Sequence, residues 1–336
     1  MIAPDLADAF ANKRVLITGG LGFIGATLAQ ELVAAGSNVL LVDSLIPEYG
    51  GNLANIAPFA DRVTVNISDV RDDHSFRYLI KDQDYLFNLA GQTSHLDSMR
   101  DPYTDLEINC RSQLSILEAC RRHNPDVKVV FASTRQIYGR PRYLPVDEAH
   151  PIAPVDVNGI NKTAGEWYHL LYGQSYGIRV AVLRLTNTYG PRMRVVDARQ
   201  TFLGYWFRLI VEGRPLTIFG DGLQRRDFNY VDDAVRAFLL AAAADDANGQ
   251  VYNLGAEPAI SLLDLATLLV ELNGGGEYRI EPFPADRESI DIGDYFADFE
   301  SIESSLGWRP SVSLEDGIAR SLTFYREHGE RYWSET

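Results

Sequence analysis

The chain has 336 residues, of which 46% are hydrophobic and 11% are aromatic, so it is long enough for more than one domain and can bury a large core. Its formal net charge is −15. A surface of that charge would repel a polyanion, which excludes nucleic acid and anionic membranes as expected partners.

Targeting, membrane and metal signals are missing from the sequence. No apolar run reaches the roughly 18 residues that a membrane span requires. The amino terminus carries Asp5 and Asp8 where a signal peptide would be basic, so we expect a cytoplasmic protein. Cys110 and Cys120 match neither a zinc nor a redox spacing and are interpreted as reduced packing residues. The six histidines are scattered, and no metal site is expected.

The first predicted element is a strand that leads through spaced glycines into a helix. Val15-Leu16-Ile17 is typical of a strand covered on both faces, and a helix is predicted from about residue 23 to 35. Between them, Gly19, Gly22 and Gly25 allow a tight turn, backbone approach to a pyrophosphate and close helix packing. This pattern indicates a dinucleotide cradle with the phosphates at the start of the helix.

The second predicted strand, residues 38–42, ends at Asp43. A carboxylate there would accept hydrogen bonds from the adenosine ribose and repel a 2′-phosphate, which favours NAD over NADP. The alternative is that Asp43 only begins a loop.

Strands and helices alternate through the first half of the chain. This rhythm predicts a Rossmann-type α/β fold with a doubly wound parallel sheet. The further predicted strands are residues 63–65, 85–89, 129–133 and 180–184, with helices at about 103–123 and 159–176.

The rhythm weakens after Leu185 into turns rich in glycine and proline. We predict a nucleotide-binding domain over residues 1–185 and a smaller α/β domain over 186–336. Residues 227–257 are expected to return to the first domain, with 251–255 as a late strand, so the division is discontinuous. Helices are predicted at about 201–212, 231–244 and 261–272.

Several motifs together resemble the extended short-chain dehydrogenase/reductase family, which contains the NAD-dependent nucleotide-sugar epimerases and dehydratases. The likeness runs nearly from end to end. The motifs are Thr18 to Gly25, Asp69 to Asp72, Asn88 to Gln92, Ser133-Thr134 before Tyr138-Gly139, Lys162, Arg184 to Asn187 before Tyr189 to Pro191, Arg226 to Phe228, and Leu306 to Trp308.

The resemblance implies a role for each matching residue. NAD would be bound by Gly19, Gly22, Phe23, Ile24, Gly25, Asp43, Asp69, Val70, Leu89, Ala90, Gln92 and Lys162. Thr134 would hydrogen-bond the sugar hydroxyl that is oxidised. The nucleotide-diphosphate sugar would contact Thr93, Arg135, Asn187, Phe219, Arg226 and Arg287. Arginine suits a diphosphate because its fork pairs with phosphate oxygens. The alternative for Arg226 is a surface ion pair with Asp227 or Asp232.

The family's acid/base tyrosine is replaced here. It stands four residues before the lysine, and this chain has Asn158 at that place before Lys162. An amide cannot ionise at any useful pH. Three explanations remain open: another group carries the proton, the reaction differs, or the protein only binds its ligands. The candidate groups are Lys162, with a pKa lowered by burial beside the positive nicotinamide, Tyr138, His95 and Tyr189, although a lone histidine such as His95 is more often a polar loop residue.

A second departure concerns the Asp-Glu pair that follows the threonine in family dehydratases. Arg135 and Gln136 stand there, and neither acts as a carboxylic acid, so 4,6-dehydration is not expected. Arg135 would contact a substrate carboxylate or hydroxyl; its alternative is a loop ion pair with Asp147 or Glu148.

We therefore predict an NAD-dependent nucleotide-sugar epimerase with an atypical acid/base. The alternatives are a non-catalytic NAD- and sugar-nucleotide-binding protein and a nucleotide-sugar oxidase or decarboxylase. The resemblance also implies a homodimer that forms through apolar stripes on two helices. The alternative is that these stripes pack inside the core of a single chain. The residues of these stripes are Ile116, Leu117, Tyr168, Leu171 and Tyr172.

Overall fold

The computed structural model describes residues 4–284 and 290–333. Its main sheet has seven parallel strands in the order β11-β6-β5-β4-β1-β2-β3. These strands are β1 (Arg14–Thr18), β2 (Asn38–Asp43), β3 (Val63–Ile67), β4 (Tyr85–Asn88), β5 (Lys128–Thr134), β6 (Arg179–Leu185) and β11 (Val251–Asn253). The predicted doubly wound parallel sheet is confirmed.

The main sheet is covered by helices on both faces. Successive residues of β1 alternate between two cores: Val15 and Ile17 pack in one, and Leu16 packs in the other. The first core includes α2 (Phe23–Ala34) and α9 (Val231–Ala243); the second includes α3 (Asp73–Leu79), α6 (Ser112–His123) and α7 (Val157–Tyr176). Burial on both faces explains why the central strands are continuous apolar runs.

A second group of short strands forms three two-stranded ladders. β7 (Asn187–Tyr189) pairs with β10 (Phe228–Tyr230), β8 (Leu216–Phe219) with β13 (Tyr278–Glu281), and β9 (Arg225–Arg226) with β12 (Ile260–Ser261). The remaining α-helices are α1 (Pro4–Asp8), α4 (His95–Arg100), α5 (Pro102–Leu106), α8 (Phe202–Val211), α10 (Leu262–Asn273), α11 (Glu300–Leu306), α12 (Leu314–His328) and α13 (Glu330–Trp333).

Strand β11 extends the main sheet from the second half of the chain. Tyr252 pairs with Leu183 of β6, so the chain returns to the first sheet after it has formed β7 to β10. This return follows the predicted course of residues 251–255. It brings the loops of the second half over the carboxyl ends of the parallel strands, where ligands of such sheets bind.

The predicted apolar stripes separate into two sets. Ile116, Leu117 and Tyr172 are buried in the second core, so for these residues the dimer interpretation is wrong. Tyr168 packs against the same core, whereas Leu171 is 50% exposed. Within the described residues, no helix is both long and apolar enough to cross a membrane.

Candidate functional site

The glycine-rich turn after β1 has the backbone that a dinucleotide cradle requires. Gly19 has a φ of 66°, a left-handed value that favours glycine. A Cβ on Gly25 would lie 2.2 Å from the carbonyl oxygen of Gly19, so helix α2 reaches the turn only because that Cβ is absent. Gly22 caps α2 without a side-chain hydrogen bond, which leaves the start of the helix open to a phosphate.

One cavity of about 680 Å³ runs along the carboxyl ends of the parallel strands and beneath the second half of the chain. It begins at the glycine turn and ends at residues of β8 and β9. Most of the predicted site residues line it: Gly19, Gly22, Phe23, Ile24, Gly25, Asp43, Asp69, Val70, Leu89, Ala90, Thr93, Thr134, Arg135, Asn158, Lys162, Asn187, Phe219 and Arg226.

Asp43 combines a loop contact with a place in the cavity wall. Its Oδ2 accepts a hydrogen bond from the Leu21 amide at 3.0 Å, and its Oδ1 accepts one from the Leu45 amide at 2.9 Å. Burial raises the pKa of Asp43 above its usual value, and these amide donors oppose that shift. The carboxylate thus ties the glycine turn to the end of β2, where a ribose would lie.

The wall beyond the glycine turn is built around a buried lysine. Lys162 Nζ donates to the Ala132 carbonyl at 3.3 Å and lies 5.2 Å from the centre of the Phe131 ring. Burial lowers the pKa of Lys162 to about 8. A Cβ on Gly91 would lie 2.8 Å from Nζ, so this glycine leaves room for the ammonium. Thr134 Oγ1 accepts from the Gln136 amide at 3.2 Å, which leaves its hydroxyl proton available to a ligand.

Asn158 belongs to a group of amides around a buried carboxylate that the sequence interpretation missed. Asp105 accepts hydrogen bonds from Asn109 at 3.0 Å, Asn158 at 3.0 Å and Asn161 at 2.7 Å. Asn158 Nδ2 also donates to the Gln92 carbonyl at 2.7 Å. Its amide group is therefore a structural donor. The only available sequence signal was a carboxylate and amides at helical spacings.

Three predicted side chains do not reach the cavity. Tyr138 is buried, donates to Asn253 Oδ1 at 2.7 Å and accepts from Arg184 Nη1 at 2.6 Å, and burial raises its pKa to about 12. Tyr189 is also buried and donates to the Leu314 carbonyl at 3.3 Å. Gln92 donates to the Ser94 carbonyl at 2.9 Å and is absent from the cavity wall. Packing turns each of these side chains inward, so the structure does not place them on the cavity wall where the sequence led us to expect them.

The far end of the cavity holds two buried guanidinium groups. Arg135 Nη2 donates to Asn187 Oδ1 at 3.1 Å, and its predicted alternative partners bind elsewhere: Asp147 accepts from Tyr143 and Glu148 from the Asn253 amide. Burial lowers the pKa of Arg135 below its usual value.

Arg226 likewise avoids its predicted alternative partners, Asp227 and Asp232. Its Nη2 lies 3.7 Å from Asp291 Oδ1, and burial lowers its pKa to about 10. The Phe219 ring lies 6.3 Å from that of Phe283. Arg287 lies outside the described residues.

His95, the first residue of α4, lines the same cavity. Its Nδ1 lies 2.9 Å from Oδ2 of Asp156, whose carboxylate caps the start of α7. The histidine is therefore not the lone loop residue that its sequence suggested.

Comparison with known proteins agrees with this architecture. Residues 15–255 match the model of the NAD dependent epimerase/dehydratase family. A putative UDP-glucose 4-epimerase of Methanocaldococcus jannaschii is 34% identical over 315 residues, which cover 94% of this chain and 99% of that protein.

Solved structures show the same likeness. UDP-glucose 4-epimerase of Thermotoga maritima, solved with UDP-glucose, has a TM-score of 0.84 at 30% identity and covers 94% of this chain and 99% of its own. The dTDP-glucose 4,6-dehydratase DesIV of Streptomyces venezuelae, solved with NAD, has a TM-score of 0.87 at 26% identity and covers 96% and 99%.

NAD is the cofactor that these findings assign. The residues present fit it, since Gly19 and Gly25 permit close backbone approach, α2 starts without a side-chain cap, and Asp43 lies at the end of β2. With its fold, its glycine turn and its end-to-end relatives in agreement, this chain belongs to the NAD-dependent epimerase/dehydratase family.

Proposed function

We propose that the protein is an NAD-dependent nucleotide-sugar epimerase that inverts a carbon by transient oxidation of its hydroxyl. The observation that carries the proposal is the single cavity that joins the glycine turn, the Thr134 and Lys162 wall, and the Arg226 end. A bound NAD would supply the hydride acceptor and donor that this transient oxidation needs. Thr134 orients the sugar hydroxyl, and Lys162 holds the nicotinamide ribose.

The far end of the cavity supports a diphosphate as the anchoring group. In a chain of net charge −15, Arg135 and Arg226 are two buried cations on one wall, and no carboxylate lies close enough to Arg135 for an ion pair within the described residues. A phosphate dianion would compensate their burial through charge-assisted hydrogen bonds. Phe219 would stack on the nucleotide base, and Arg287 remains part of this proposed set.

The residues after Thr134 favour epimerisation over dehydration. Gln136 is buried and donates to Asp156 Oδ2 at 3.0 Å, and Arg135 donates to Asn187. Elimination of water needs a group that gives up and takes a proton at these places. An amide and a guanidinium do neither near neutral pH.

We also propose a homodimer that forms through α5 and α7. Ile160, Trp167 and Leu171 recur on one stripe of α7 and are 50–56% exposed, and Tyr103 and Leu106 extend the apolar surface onto α5, which packs against α7. A contiguous apolar face of this kind is typical of a subunit interface. The division into residues 1–185 with 227–257, and 186–336, stays a prediction of the sequence.

The test is to incubate the purified, NAD-loaded protein with UDP-, GDP-, CDP-, ADP- and dTDP-sugars and to follow the anomeric proton signals by NMR. We expect one sugar to yield a stereoisomer with no net NADH. Thr134→Val should lower kcat about tenfold or more, because one hydrogen bond to the reacting hydroxyl is lost. Thr323→Val, at an exposed site on α12, is the matched control and should keep the parent's rate.

Two results would decide against the epimerase. Binding of NAD and a sugar nucleotide without conversion of any sugar would favour the non-catalytic protein. Release of one NADH per sugar would favour the oxidase or decarboxylase.

A further inference from the structure

We propose that His95, held by the buried carboxylate of Asp156, is the group that takes the proton of the sugar hydroxyl and gives it back. The proposal rests on the epimerase function above and names the acid/base that Asn158 cannot be. It assigns the pair of His95 and Asp156, called the dyad below, a chemical role in addition to its place in the cavity wall.

One ring nitrogen of the imidazole lies against a carboxylate, and the other has no partner among the residues that the structure describes. Its Nδ1 is buried and lies at ion-pair distance, 2.9 Å, from Asp156 Oδ2. Its Nε2 has no hydrogen-bond partner in the described part of the chain, and the side chain is 32% exposed on the cavity wall. Ser94 caps α4 by accepting from the Asp97 amide at 3.2 Å, which fixes the residue before the histidine. Because Nδ1 is buried against Asp156, we take Nε2 as the ring nitrogen available to a ligand in the cavity.

Asp156 is built to stay ionised behind the ring. Its side chain is fully buried, accepts from the Gly159 amide at 2.6 Å and from Gln136 Nε2 at 3.0 Å, and lies at the start of α7. Burial alone would raise the pKa of Asp156, but the His95 imidazole and these donors hold it below its usual value. A carboxylate beside Nδ1 favours the tautomer with its proton there, which leaves the lone pair on Nε2.

The same carboxylate connects the histidine to the other reacting positions. Gln136, which donates to Asp156, also donates its amide to Thr134 Oγ1. Helix α7, which Asp156 caps, carries Lys162. His95, Thr134 and Lys162 are thus connected through Asp156, Gln136 and helix α7. The charged groups on the elements packed against α4 are Asp101 at the start of α5, Asp105 of α5, Asp156 at the start of α7, and Lys162 and Glu166 of α7.

The other candidates are less suited to this task. Tyr138 and Tyr189 lie away from the cavity. The side-chain amide of Asn158 already donates hydrogen bonds to Asp105 and to the Gln92 carbonyl. Lys162 already donates to the Ala132 carbonyl and, with a pKa of about 8, is mostly protonated at neutral pH, so it lacks the lone pair that takes a proton. A neutral imidazole has a lone pair on one ring nitrogen that can take a proton.

The step balances without any further reactant. The O–H bond of the sugar breaks, its proton goes to Nε2, and the carbonyl forms as the carbon-bound hydrogen leaves with its electron pair to the cofactor. The negative charge of Asp156 compensates the positive charge of the imidazolium, which keeps its proton on Nε2. Reversal on the other face of the sugar returns both hydrogens and restores the dyad.

The test compares His95→Gln and His95→Ala with the parent, using the sugar that the parent converts. We expect kcat to fall by about 10² to 10⁴, the range for loss of a general acid/base, with NAD binding by fluorescence unchanged. Free imidazole should restore part of the activity of His95→Ala, which a structural role would not allow. His74→Gln, at an exposed histidine of α3, is the matched control and should match the parent.

A second readout does not depend on turnover. In ¹⁵N-histidine NMR spectra of the NAD-loaded protein, His95 should carry its proton on Nδ1, and Asp156→Asn should lower the share of that tautomer. The inference is overturned if His95→Gln keeps more than a tenth of the parent's kcat, or if Nδ1 is unprotonated in neutral His95. In the first case the parent still converts its sugar and the epimerase function stands; if the parent converts none, both proposals fall.

Discussion

Lys162 shows at the residue scale how the fold changes the chemistry of one side chain. Its ammonium is buried, and its pKa is lowered to about 8 from an ordinary value of 10.5. The shift has the direction that its position in a Rossmann cavity predicted. It also makes Lys162 a cost to the stability of the fold at neutral pH.

This shift predicts how stability depends on pH. Between pH 8 and about 10.5 the unfolded chain binds more protons at Lys162 than the folded chain, so Lys162 makes stability rise with pH. Lys162→Met removes that contribution. We expect the Lys162→Met protein to have a larger free energy of unfolding than the parent. This difference should be largest near pH 7 and should shrink above pH 8, as measured by urea unfolding at several pH values.

The exposed Lys81→Met is the control for loss of a surface lysine. Lys128, whose pKa is also lowered to about 8 by burial, contributes equally to parent and variant and cancels. Parallel stability curves for the parent and Lys162→Met would refute the assignment of a buried, costly ammonium.

Residue roles were predictable where the backbone itself demands them. Gly19 and Gly25 could be assigned from spacing because the turn excludes a Cβ. Tyr138 could not, since its direction depends on Arg184 and Asn253, which the fold brings from other strands. The His95–Asp156 contact escaped prediction for the same reason, because it forms only when α4 packs against α7.

At the scale of elements, the helix predicted over residues 103–123 is present but is not uniform. It consists of α5, a π-helical turn over Glu107–Arg111, and α6. The turn carries Asn109, which donates to Asp105 and to the Gln92 carbonyl. Helix propensities do not predict a π-helical turn. In this chain the turn coincides with the tertiary hydrogen bonds of Asn109, which the sequence pattern does not show. Such turns are frequent at functional sites.

Helices α5 and α7 also carry the prediction about assembly. Trp167→Glu places a charge in the exposed apolar stripe and should convert the proposed dimer to a monomer, as measured by light scattering after size-exclusion chromatography. Leu223 lies outside this face and is about as exposed as Trp167, at 61% against 56%. Leu223→Glu is therefore the control and should leave the dimer intact. A parent that is monomeric at micromolar concentration, or a Trp167→Glu protein that stays dimeric, would contradict the proposed interface.

For the whole molecule, the cofactor half was more predictable than the substrate half. Alternating apolar strands and helices determine a parallel sheet and its ligand-binding edge. The second half is built from three two-stranded ladders, and its pairings, such as β9 with β12, follow no periodic signal. The place of Arg226 depends on these ladders, so its contact with Asp291 was not foreseen.

The central proposal concerns the whole molecule: NAD and a sugar nucleotide would bind in one cavity, where hydrogen would pass between them. The most direct test is to run the conversion in D₂O and examine the inverted carbon by NMR and mass spectrometry. In the proposed mechanism the hydroxyl proton would exchange with solvent through His95, whereas the carbon-bound hydrogen would travel only by way of the cofactor. The account predicts an inverted carbon that keeps its original hydrogen. Deuterium at that carbon would contradict it.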